Sequence, residues 1–251
     1  MVDVVMRARD LVALDAYESL AATGRFVLVD QDRVVAGGLI SMKGFVDQRP
    51  AATPKSAHLH QVKAHVSPGM RAARNGHAGA VIWLTGLSGA GKSTIALEVE
   101  RRLFERGYQI YVLDGDNLRA GLNADLGFSP EDRSENVRRL GAAASLFAEA
   151  GFVAIVAAIS PYAADRARAR GAARAAFHEI WVKADVAVCE QRDPKGLYKL
   201  ARAGQIKNFT GIAAPYEPPS AAELVIDTSD QSVETSVACL IDYIAAAVGA
   251  R

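Results

Sequence analysis

The fold of this chain is decided by Gly86-Leu87-Ser88-Gly89-Ala90-Gly91-Lys92-Ser93, in which two glycines frame four residues and Lys-Ser follows. This is the spacing of a phosphate-binding P-loop. The flanking residues agree, because Ala80-Val81-Ile82-Trp83-Leu84-Thr85 predicts a buried strand and residues 94–99 predict the start of a helix. Glycines allow a tight turn whose N–H groups point at phosphate oxygens, and the helix N-terminus adds its positive dipole end. The pattern therefore predicts a bound nucleoside triphosphate.

Two side chains of this loop carry specific expectations. Lys92 should reach the β- and γ-phosphates, and the Ser93 hydroxyl should bind Mg²⁺. The predicted nucleotide-binding residues are Gly86, Leu87, Ser88, Gly89, Ala90, Gly91, Lys92, Ser93 and Thr94. The alternative is an ordinary glycine-rich turn between a strand and a helix. The motif by itself does not identify the phosphate acceptor.

Composition excludes several classes of function. The chain has 251 residues, of which 50% are hydrophobic, and its formal net charge is +1. This charge does not indicate a nucleic-acid or membrane partner, and no apolar run approaches the roughly 20 residues of a membrane span. The first seven residues lack the layout of a signal peptide. The two cysteines, Cys189 and Cys239, lie far apart, as expected for free thiols in a reducing cytoplasm.

Three zones follow one another along the chain. In residues 1–48, the stretches 25–30 and 34–40 predict a β-hairpin, and residues 15–22 predict a short helix. Residues 49–78 are rich in proline and histidine and read as a linker. Residues 79–251 alternate between strand and helix patterns. Further strands are predicted at 109–114, 152–158, 179–183 and 224–226, and helices at 131–150, 163–177 and 231–248.

This alternation predicts an α/β fold, with a parallel sheet covered by helices on both faces and a small N-terminal extension. Ligands of such sheets gather at the carboxyl ends of the strands. The P-loop, Asp114 and Ser160 all follow predicted strands, so we expect them to lie close together.

A second polar cluster, Asp114-Gly115-Asp116-Asn117-Leu118-Arg119, follows the strand at 109–114. Beside a P-loop, one carboxylate can support Mg²⁺ and the other can accept a hydroxyl proton from the phosphate acceptor. Arg119 can bind an anionic acceptor. The alternative is a capped polar turn, because Asp, Gly and Asn also favour turns.

With these residues in view, residues 79–228 closely resemble the adenylylsulfate kinase family. The P-loop is shared by many kinases, whereas the other matching segments are specific to the family as a set. These segments are residues 114–119, Leu126-Gly127-Phe128-Ser129, Arg133, Glu135-Asn136-Val137-Arg138-Arg139, Ile159-Ser160-Pro161, Arg192-Asp193-Pro194-Lys195-Gly196-Leu197-Tyr198 and Asn208-Phe209-Thr210-Gly211-Ile212. The resemblance implies a P-loop kinase fold that uses ATP and Mg²⁺ to phosphorylate the ribose 3′-hydroxyl of adenosine 5′-phosphosulfate.

The resemblance also implies roles for individual residues. Asp116 would orient or deprotonate the 3′-hydroxyl, and Asp114 would support the Mg²⁺ shell. Phe128 and Phe209 would hold the substrate adenine between their rings, although a lone phenylalanine is otherwise expected in a core. The remaining substrate-binding residues would be Arg119, Arg133, Asn136, Ile159 and Ser160.

Two residues are implied to act on the transferred phosphate or on the nucleotide. Lys195 would neutralise charge in transit, and Arg192 would lie over the ATP adenine. Residues 194–212 would form a closing lid that excludes water. The resemblance also implies a candidate phosphoserine, because some members of the family are described with one at the position that matches Ser160. The alternative is direct transfer with Ser160 as a positioning group, which we favour because no base adjacent to Ser160 in the sequence would activate its hydroxyl.

The N-terminal zone has a second resemblance. Residues 24–30 and 35–40 are similar to the last strands of the GTPase-type large subunit of bacterial sulfate adenylyltransferase. Residues 1–48 would then be the remnant of a β-barrel domain without a GTPase motif. Partners implied by the two resemblances are sulfate adenylyltransferase subunits and a second copy of the chain in a homodimer. Two other functions stay open at this point: another small-molecule P-loop kinase, and a catalytically inactive module of the sulfate-activating complex.

Overall fold

The computed structural model describes residues 25–30, 33–39, 64–206 and 208–249. The chain divides into two compact units, Met1–Lys55 and Ser56–Arg251. In the first unit, β1 (Arg25–Asp30) and β2 (Arg33–Leu39) pair antiparallel, with an irregular register between Leu28 and Val29. The predicted hairpin is confirmed, whereas the helix predicted at 15–22 lies outside the described residues.

A five-stranded parallel sheet forms the second unit. Its strands are β3 (Ala80–Thr85), β4 (Ile110–Asp114), β5 (Val153–Ala157), β6 (Ala176–Lys183) and β7 (Leu224–Asp227). They lie in the order β4-β5-β3-β6-β7. All residues of β3 and β5 are buried, because these strands are covered on both faces and consist of apolar residues with hardly any polar alternation.

Helices cover both faces of this sheet, as predicted. They are α1 (Pro68–Asn75), α2 (Lys92–Glu105), α3 (Gly115–Arg119), α4 (Pro130–Glu149), α5 (Ala163–Ala172), α6 (Val186–Arg192), α7 (Leu197–Arg202) and α8 (Val233–Val248). One apolar cluster joins α2 and α8 to the sheet, and the other joins α4 and α5 to its opposite face. The P-loop therefore lies at the carboxyl edge of a sheet held from both sides.

The start of α4 matters for the site because it fixes the side chains of its first two turns. Ser129 caps this helix by accepting a hydrogen bond from the Asp132 N–H at 3.1 Å, and Pro130 occupies the first helical position. Arg133 and Asn136, three residues apart, thereby point from one side of the helix.

The short helices α3, α6 and α7 were not predicted from the sequence. Two further differences concern other elements. Helix α5 ends at Ala172 rather than 177, and β6 begins at Ala176, because Phe177 pairs with Val81 of β3 and stacks on Trp83. Tertiary pairing here outweighs the helical pattern.

The second difference lies within the linker predicted at 49–78, which contains helix α1. Ser67 caps α1, and left-handed Gly76 ends it. The buried side chain of Asn75 donates to the Gly151 carbonyl at 3.0 Å, and His77 Nε2 accepts from the Gln109 N–H at 3.0 Å. Residues 68–77 therefore belong to the packed body of the second unit.

No helix in the described ranges combines the length and the apolar character that crossing a membrane requires.

Candidate active site

The P-loop begins with two glycines whose positions admit no side chain. A Cβ at Gly86 would lie 2.3 Å from the Val182 carbonyl oxygen, and one at Gly89 would lie 2.9 Å from the Cys189 carbonyl oxygen. Gly91 has a φ of 94° and forms the N-cap of α2. The loop is thus pressed against β6 and α6, and its shape is set by backbone contacts rather than by side chains.

Lys92 is 8% exposed, and its ammonium group lies within the turn of the P-loop. Nζ donates to the carbonyl oxygens of Gly86 at 3.0 Å and Leu87 at 2.7 Å. Burial lowers the pKa of Lys92 to about 8. The positive charge is therefore held where phosphate oxygens would bind, in a place where it is poorly solvated.

Ser93 and Asp114 meet next to this lysine. The Ser93 hydroxyl donates to Asp114 Oδ2 at 2.6 Å, and Asp114 Oδ1 accepts from the Asp116 N–H at 2.9 Å. Asp114 thereby caps the short helix α3 and fixes the backbone of Asp116. The structure brings both predicted metal-binding residues together at the end of β4.

Asp116 itself is exposed and pairs with Lys195. Lys195 lies between α6 and α7, in the segment predicted to be a lid, 79 residues further along the chain. The lid segment thus contacts the proposed acid–base residue in this structure. Because both partners are exposed, water and salt will weaken the pair, and a substrate can separate them at small cost.

Arg119 and Phe128 form the next part of the site. The guanidinium of Arg119 lies 4.4 Å from the centre of the Phe128 ring and donates to the Gly127 carbonyl oxygen at 2.8 Å. Phe128 is 65% exposed. An exposed aromatic ring backed by an arginine is suited to stacking against a flat base.

Arg133 joins this region to the second predicted aromatic residue. It donates to the Phe128 carbonyl oxygen at 3.0 Å, to Thr210 Oγ1 at 2.5 Å and to the Asn208 carbonyl oxygen at 2.6 Å. The segments that carry Phe128 and Phe209 are therefore neighbours, although they lie about 80 residues apart in the sequence. Arg133 fixes the spacing between them.

Phe209 differs from Phe128 in its surroundings. It is only 6% exposed and packs edge-on against Tyr198, with ring centroids 4.9 Å apart. Asn136 is also buried, and its Oδ1 accepts from Asn123 Nδ2 at 2.9 Å. Phe209 therefore belongs to the core in this structure.

Ile159 and Ser160 end the segment after β5. Ser160 is 3% exposed and has a φ of 39°. Its hydroxyl accepts from Trp83 Nε1 at 3.0 Å and donates to Thr85 Oγ1 at 3.0 Å. Thr85 in turn donates to the Ile159 carbonyl oxygen at 2.8 Å. The Ser160 hydroxyl thus points into the protein rather than toward Asp116.

Arg192 lies on the other side of the P-loop. Its guanidinium donates to the Thr228 carbonyl oxygen at 2.5 Å and to the Gly89 carbonyl oxygen at 3.4 Å. The Thr228 hydroxyl donates to the Ala90 carbonyl oxygen at 3.0 Å. The end of β7 is in this way joined to the back of the loop.

Sequence reasoning assigned no role to two residues that hold the P-loop in place. Tyr198 donates from its hydroxyl to the Ser88 carbonyl oxygen at 3.0 Å, and Thr228 holds Ala90 as described. Tyr198 lies in one of the segments that resemble the kinase family, and this resemblance could have marked it as a candidate site residue. Its partner lies 110 residues away, and no local pattern in the sequence announces such a contact.

Comparisons with known proteins agree with this geometry. The family model of adenylylsulphate kinase matches residues 78–227. Over 172 residues the chain is 58% identical to the adenylyl-sulfate kinase of Bacillus pumilus (strain SAFR-032), covering 68% of this chain and 87% of that protein. It is 51% identical over 191 residues to the adenylyl-sulfate kinase of Staphylococcus carnosus (strain TM300), covering 76% of this chain and 96% of that protein.

Solved structures of adenosine 5′-phosphosulfate (APS) kinases are also similar to this chain. The Mycobacterium tuberculosis APS kinase, solved in complex with AMPPNP and APS, superposes with a TM-score of 0.64 at 50% identity, over 66% of this chain and 96% of that chain. The hexameric APS kinase from Thiobacillus denitrificans superposes with a TM-score of 0.54 at 32% identity, over 70% of this chain and 30% of that chain. Sequence, fold and site geometry converge, and the chain belongs to the adenylylsulphate kinase family.

Proposed function

We propose that this protein transfers the γ-phosphoryl group of MgATP to the ribose 3′-hydroxyl of adenosine 5′-phosphosulfate (APS), giving 3′-phosphoadenosine 5′-phosphosulfate and ADP. The observation that carries the proposal is one juxtaposition: a complete P-loop faces the Asp114–Asp116 turn, and both lie in a chain of this family. Relatives at 51–58% identity are adenylyl-sulfate kinases, and the Mycobacterium tuberculosis relative binds APS beside an ATP analogue.

The donor half of the site consists of residues 86–94 and Arg192. Bound ATP would place its phosphates against the loop N–H groups, and Lys92 Nζ would exchange its two carbonyl acceptors for phosphate oxygens. The positive end of the α2 dipole adds to this attraction. Arg192 already contacts the P-loop through Gly89, which suits a place over the adenine.

Mg²⁺ fits the residues present. Ser93 and Asp114 offer one hydroxyl and one carboxylate oxygen within 2.6 Å of each other at the end of the P-loop. Mg²⁺ in kinases is typically held by one or two such groups together with phosphate oxygens and water. Among the described residues, no group of three or more acids, cysteines and histidines is placed to hold a metal ion. When bound, Mg²⁺ would neutralise charge on the transferring phosphate.

The acceptor half of the site consists of Asp116, Arg119, Phe128, Arg133, Asn136, Ile159, Ser160, Lys195 and Phe209. Asp116 would accept the proton of the 3′-hydroxyl as it attacks the γ-phosphorus. Its backbone N–H is held by Asp114, which also accepts from Ser93 of the donor half. Lys195 would then leave Asp116 and stabilise the transferring phosphoryl group. Phe128 and Arg119 would hold the adenine and the anionic phosphosulfate.

Direct transfer, without a phosphoserine intermediate, agrees with the surroundings of Ser160. Its hydroxyl is buried between Trp83 and Thr85, and its donated hydrogen bond goes to Thr85. No base in these contacts would activate it, and its side chain would have to turn outward before it could receive a phosphate. We assign Ser160 a positioning role through its backbone.

An ADP-release assay with a panel of acceptors tests the proposal. We expect ADP to form when MgATP and APS are both present, and only at background rates with shikimate, gluconate or nucleosides. ADP release with one of those acceptors instead would identify another small-molecule kinase. Nucleotide binding without turnover on any acceptor would identify an inactive module.

Further expectations about organisation remain proposals. We propose a cytoplasmic protein with domains at 1–48 and 79–251, in which residues 1–48 derive from the large subunit of sulfate adenylyltransferase. Of the linker predicted at 49–78, helix α1 packs with the second domain. We also propose a homodimer. Light scattering should give twice the chain mass, whereas one or six copies would contradict the homodimer.

A further inference from the structure

A buried arginine on α5 joins three segments that meet at the acceptor half. Arg166 is 2% exposed. Its Nε donates to Glu179 Oε1 of β6 at 2.6 Å, its Nη1 to the Ser160 carbonyl oxygen at 2.7 Å, and its Nη2 to the Glu217 carbonyl oxygen at 2.7 Å. Each guanidinium nitrogen thus holds a different part of the chain.

The first of these parts is held in an unfavourable backbone conformation. Ser160 has a φ of 39°, a region that residues with a Cβ rarely adopt. Such a conformation persists only where surrounding contacts enforce it. Here Arg166 holds the Ser160 carbonyl oxygen, and Trp83 and Thr85 hold its hydroxyl. The contact with Arg166 acts on the backbone itself.

The second part is the segment that follows the predicted lid. The Glu217 N–H donates to the Pro161 carbonyl oxygen at 2.9 Å, and its carboxylate accepts from the Ala163 N–H at 2.7 Å. The neighbouring Tyr216 hydroxyl lies 3.1 Å from Thr85 Oγ1. Residues 216 and 217 are therefore fixed to the same loop as Ser160, and Arg166 connects the two.

The chemistry of this position calls for arginine. A planar guanidinium can serve three acceptors in fixed directions and stays charged, whereas an ammonium group is a point charge on a flexible stem. Glu179 compensates the buried charge, with its side chain 14% exposed. The contribution of the charge can therefore be separated from that of the hydrogen-bond geometry. A lysine at position 166 could keep the ion pair with Glu179 but could not make all three directed hydrogen bonds.

We propose that Arg166 is a positioning residue for the acceptor half: through Ser160 and Glu217 it sets the backbone that APS binds against, and it leaves the donor half unaffected. This inference rests on the proposed function. It predicts that loosening Arg166 weakens APS binding selectively, while the P-loop, to which none of the three acceptors of Arg166 belongs, keeps its affinity for ATP.

Arg166→Lys tests this selectivity. We expect the dissociation constant for APS, measured by calorimetry with a non-hydrolysable ATP analogue present, to rise about tenfold. The constant for the analogue alone should stay within about twofold and kcat within about threefold. Arg170→Lys is the matched control, because Arg170 lies on the same helix and reaches Glu179 and Glu223 but is more exposed. It should change neither constant by more than about twofold.

A double-mutant comparison tests whether Arg166 acts through the Ser160 backbone. Ser160→Ala removes the hydroxyl and keeps the Cβ, whereas Ser160→Gly also allows a positive φ freely. Adding Arg166→Lys should therefore weaken APS binding about tenfold in the Ser160→Ala protein and only about two- to threefold in the Ser160→Gly protein. Equal losses in both would overturn the proposed route through Ser160.

Other outcomes are also decisive. Equal weakening of APS and of the ATP analogue would reduce Arg166 to a general structural role, and unchanged APS binding would remove its role altogether. If Arg166→Lys does not fold, Glu179→Gln replaces it, because the amide still accepts a hydrogen bond; the same selective loss, about threefold, is then expected. A wild-type protein that binds APS without turnover would overturn the proposed reaction and leave the role of Arg166 in binding intact.

Discussion

The two halves of the site are built in different ways. In the donor half, the loop shape is imposed by backbone packing at Gly86 and Gly89, and Lys92 is buried within it. In the acceptor half, Asp116, Phe128 and Lys195 are exposed, and Lys195 reaches Asp116 from a segment far along the chain. The ATP site is therefore complete before any ligand binds, whereas the APS site depends on contacts that the substrate itself would order.

This difference predicts that substitutions will separate binding of ATP from binding and reaction of APS. The largest effect is expected at Asp116. Asp116→Ala should lower kcat about 10³-fold, because it removes the group that accepts the hydroxyl proton. The dissociation constant of an ATP analogue should change by less than about twofold. Asp125→Ala is the control, since Asp125 is a nearby exposed acid that pairs with Arg139. A loss of ATP affinity as large as the loss in kcat would show that the two halves of the site are not independent.

Gly86→Ala should instead weaken the binding of ATP. The added Cβ would lie 2.3 Å from the Val182 carbonyl oxygen, so the loop must move. We expect about a hundredfold weaker binding of the ATP analogue, because a displacement near 1 Å is enough to cost that much. Gly249→Ala is the control, because Gly249 has a φ of 89° at the end of α8 and open space around the new Cβ. Unchanged affinity in Gly86→Ala would refute a packed, preformed loop.

Phe128 and Phe209 should respond differently, although the sequence suggested a symmetric pair. Phe128→Ala should raise the KM for APS about tenfold, through lost base stacking, with little effect on stability because the ring is exposed. Phe209→Ala should destabilise the fold by about 3–5 kcal/mol, because its ring is buried against Tyr198. Thermal unfolding and initial rates on both variants check this. Equal stability losses would contradict the structure.

A further effect is a pH dependence of ATP binding. Burial lowers the pKa of Lys92 to about 8 in the free protein, and phosphate contacts favour its charged form. Binding above this pH must therefore take up a proton. Lys92 is about nine-tenths charged at pH 7 and about one-tenth at pH 9, so affinity should fall about tenfold between them. Lys92→Met should bind weakly at both pH values and lose this dependence; a dependence that persists would assign it to another group.

The sequence predicted what local patterns determine. The P-loop spacing, the apolar runs of β3 and β5 and the Ser129-Pro130 start of α4 are all present as expected, because each depends on neighbouring residues. The burial of Phe209 could not be read in this way, and neither could the hydrogen bond from Tyr198 to Ser88. Both depend on packing between segments far apart in the chain.

The bounds of α1 and α5 also could not be predicted from local sequence patterns alone. Ser67 and Pro68 form a helix start that local rules recognise, yet the surrounding composition indicated a linker. Helix α5 has a helical pattern that runs past its end, and pairing of Phe177 with β3 stops it. Residue-level roles at the site therefore remain predictions, while the fold is confirmed.

The most direct test of the separation between the halves is a calorimetric titration of a non-hydrolysable ATP analogue, without APS, into the double variant Arg119→Ala, Phe128→Ala. These two residues contact each other in the acceptor half, with the guanidinium 4.4 Å from the ring centre. We predict a dissociation constant within about twofold of the wild-type value. A tenfold or greater loss of affinity would show that the ATP site is not complete without the acceptor half.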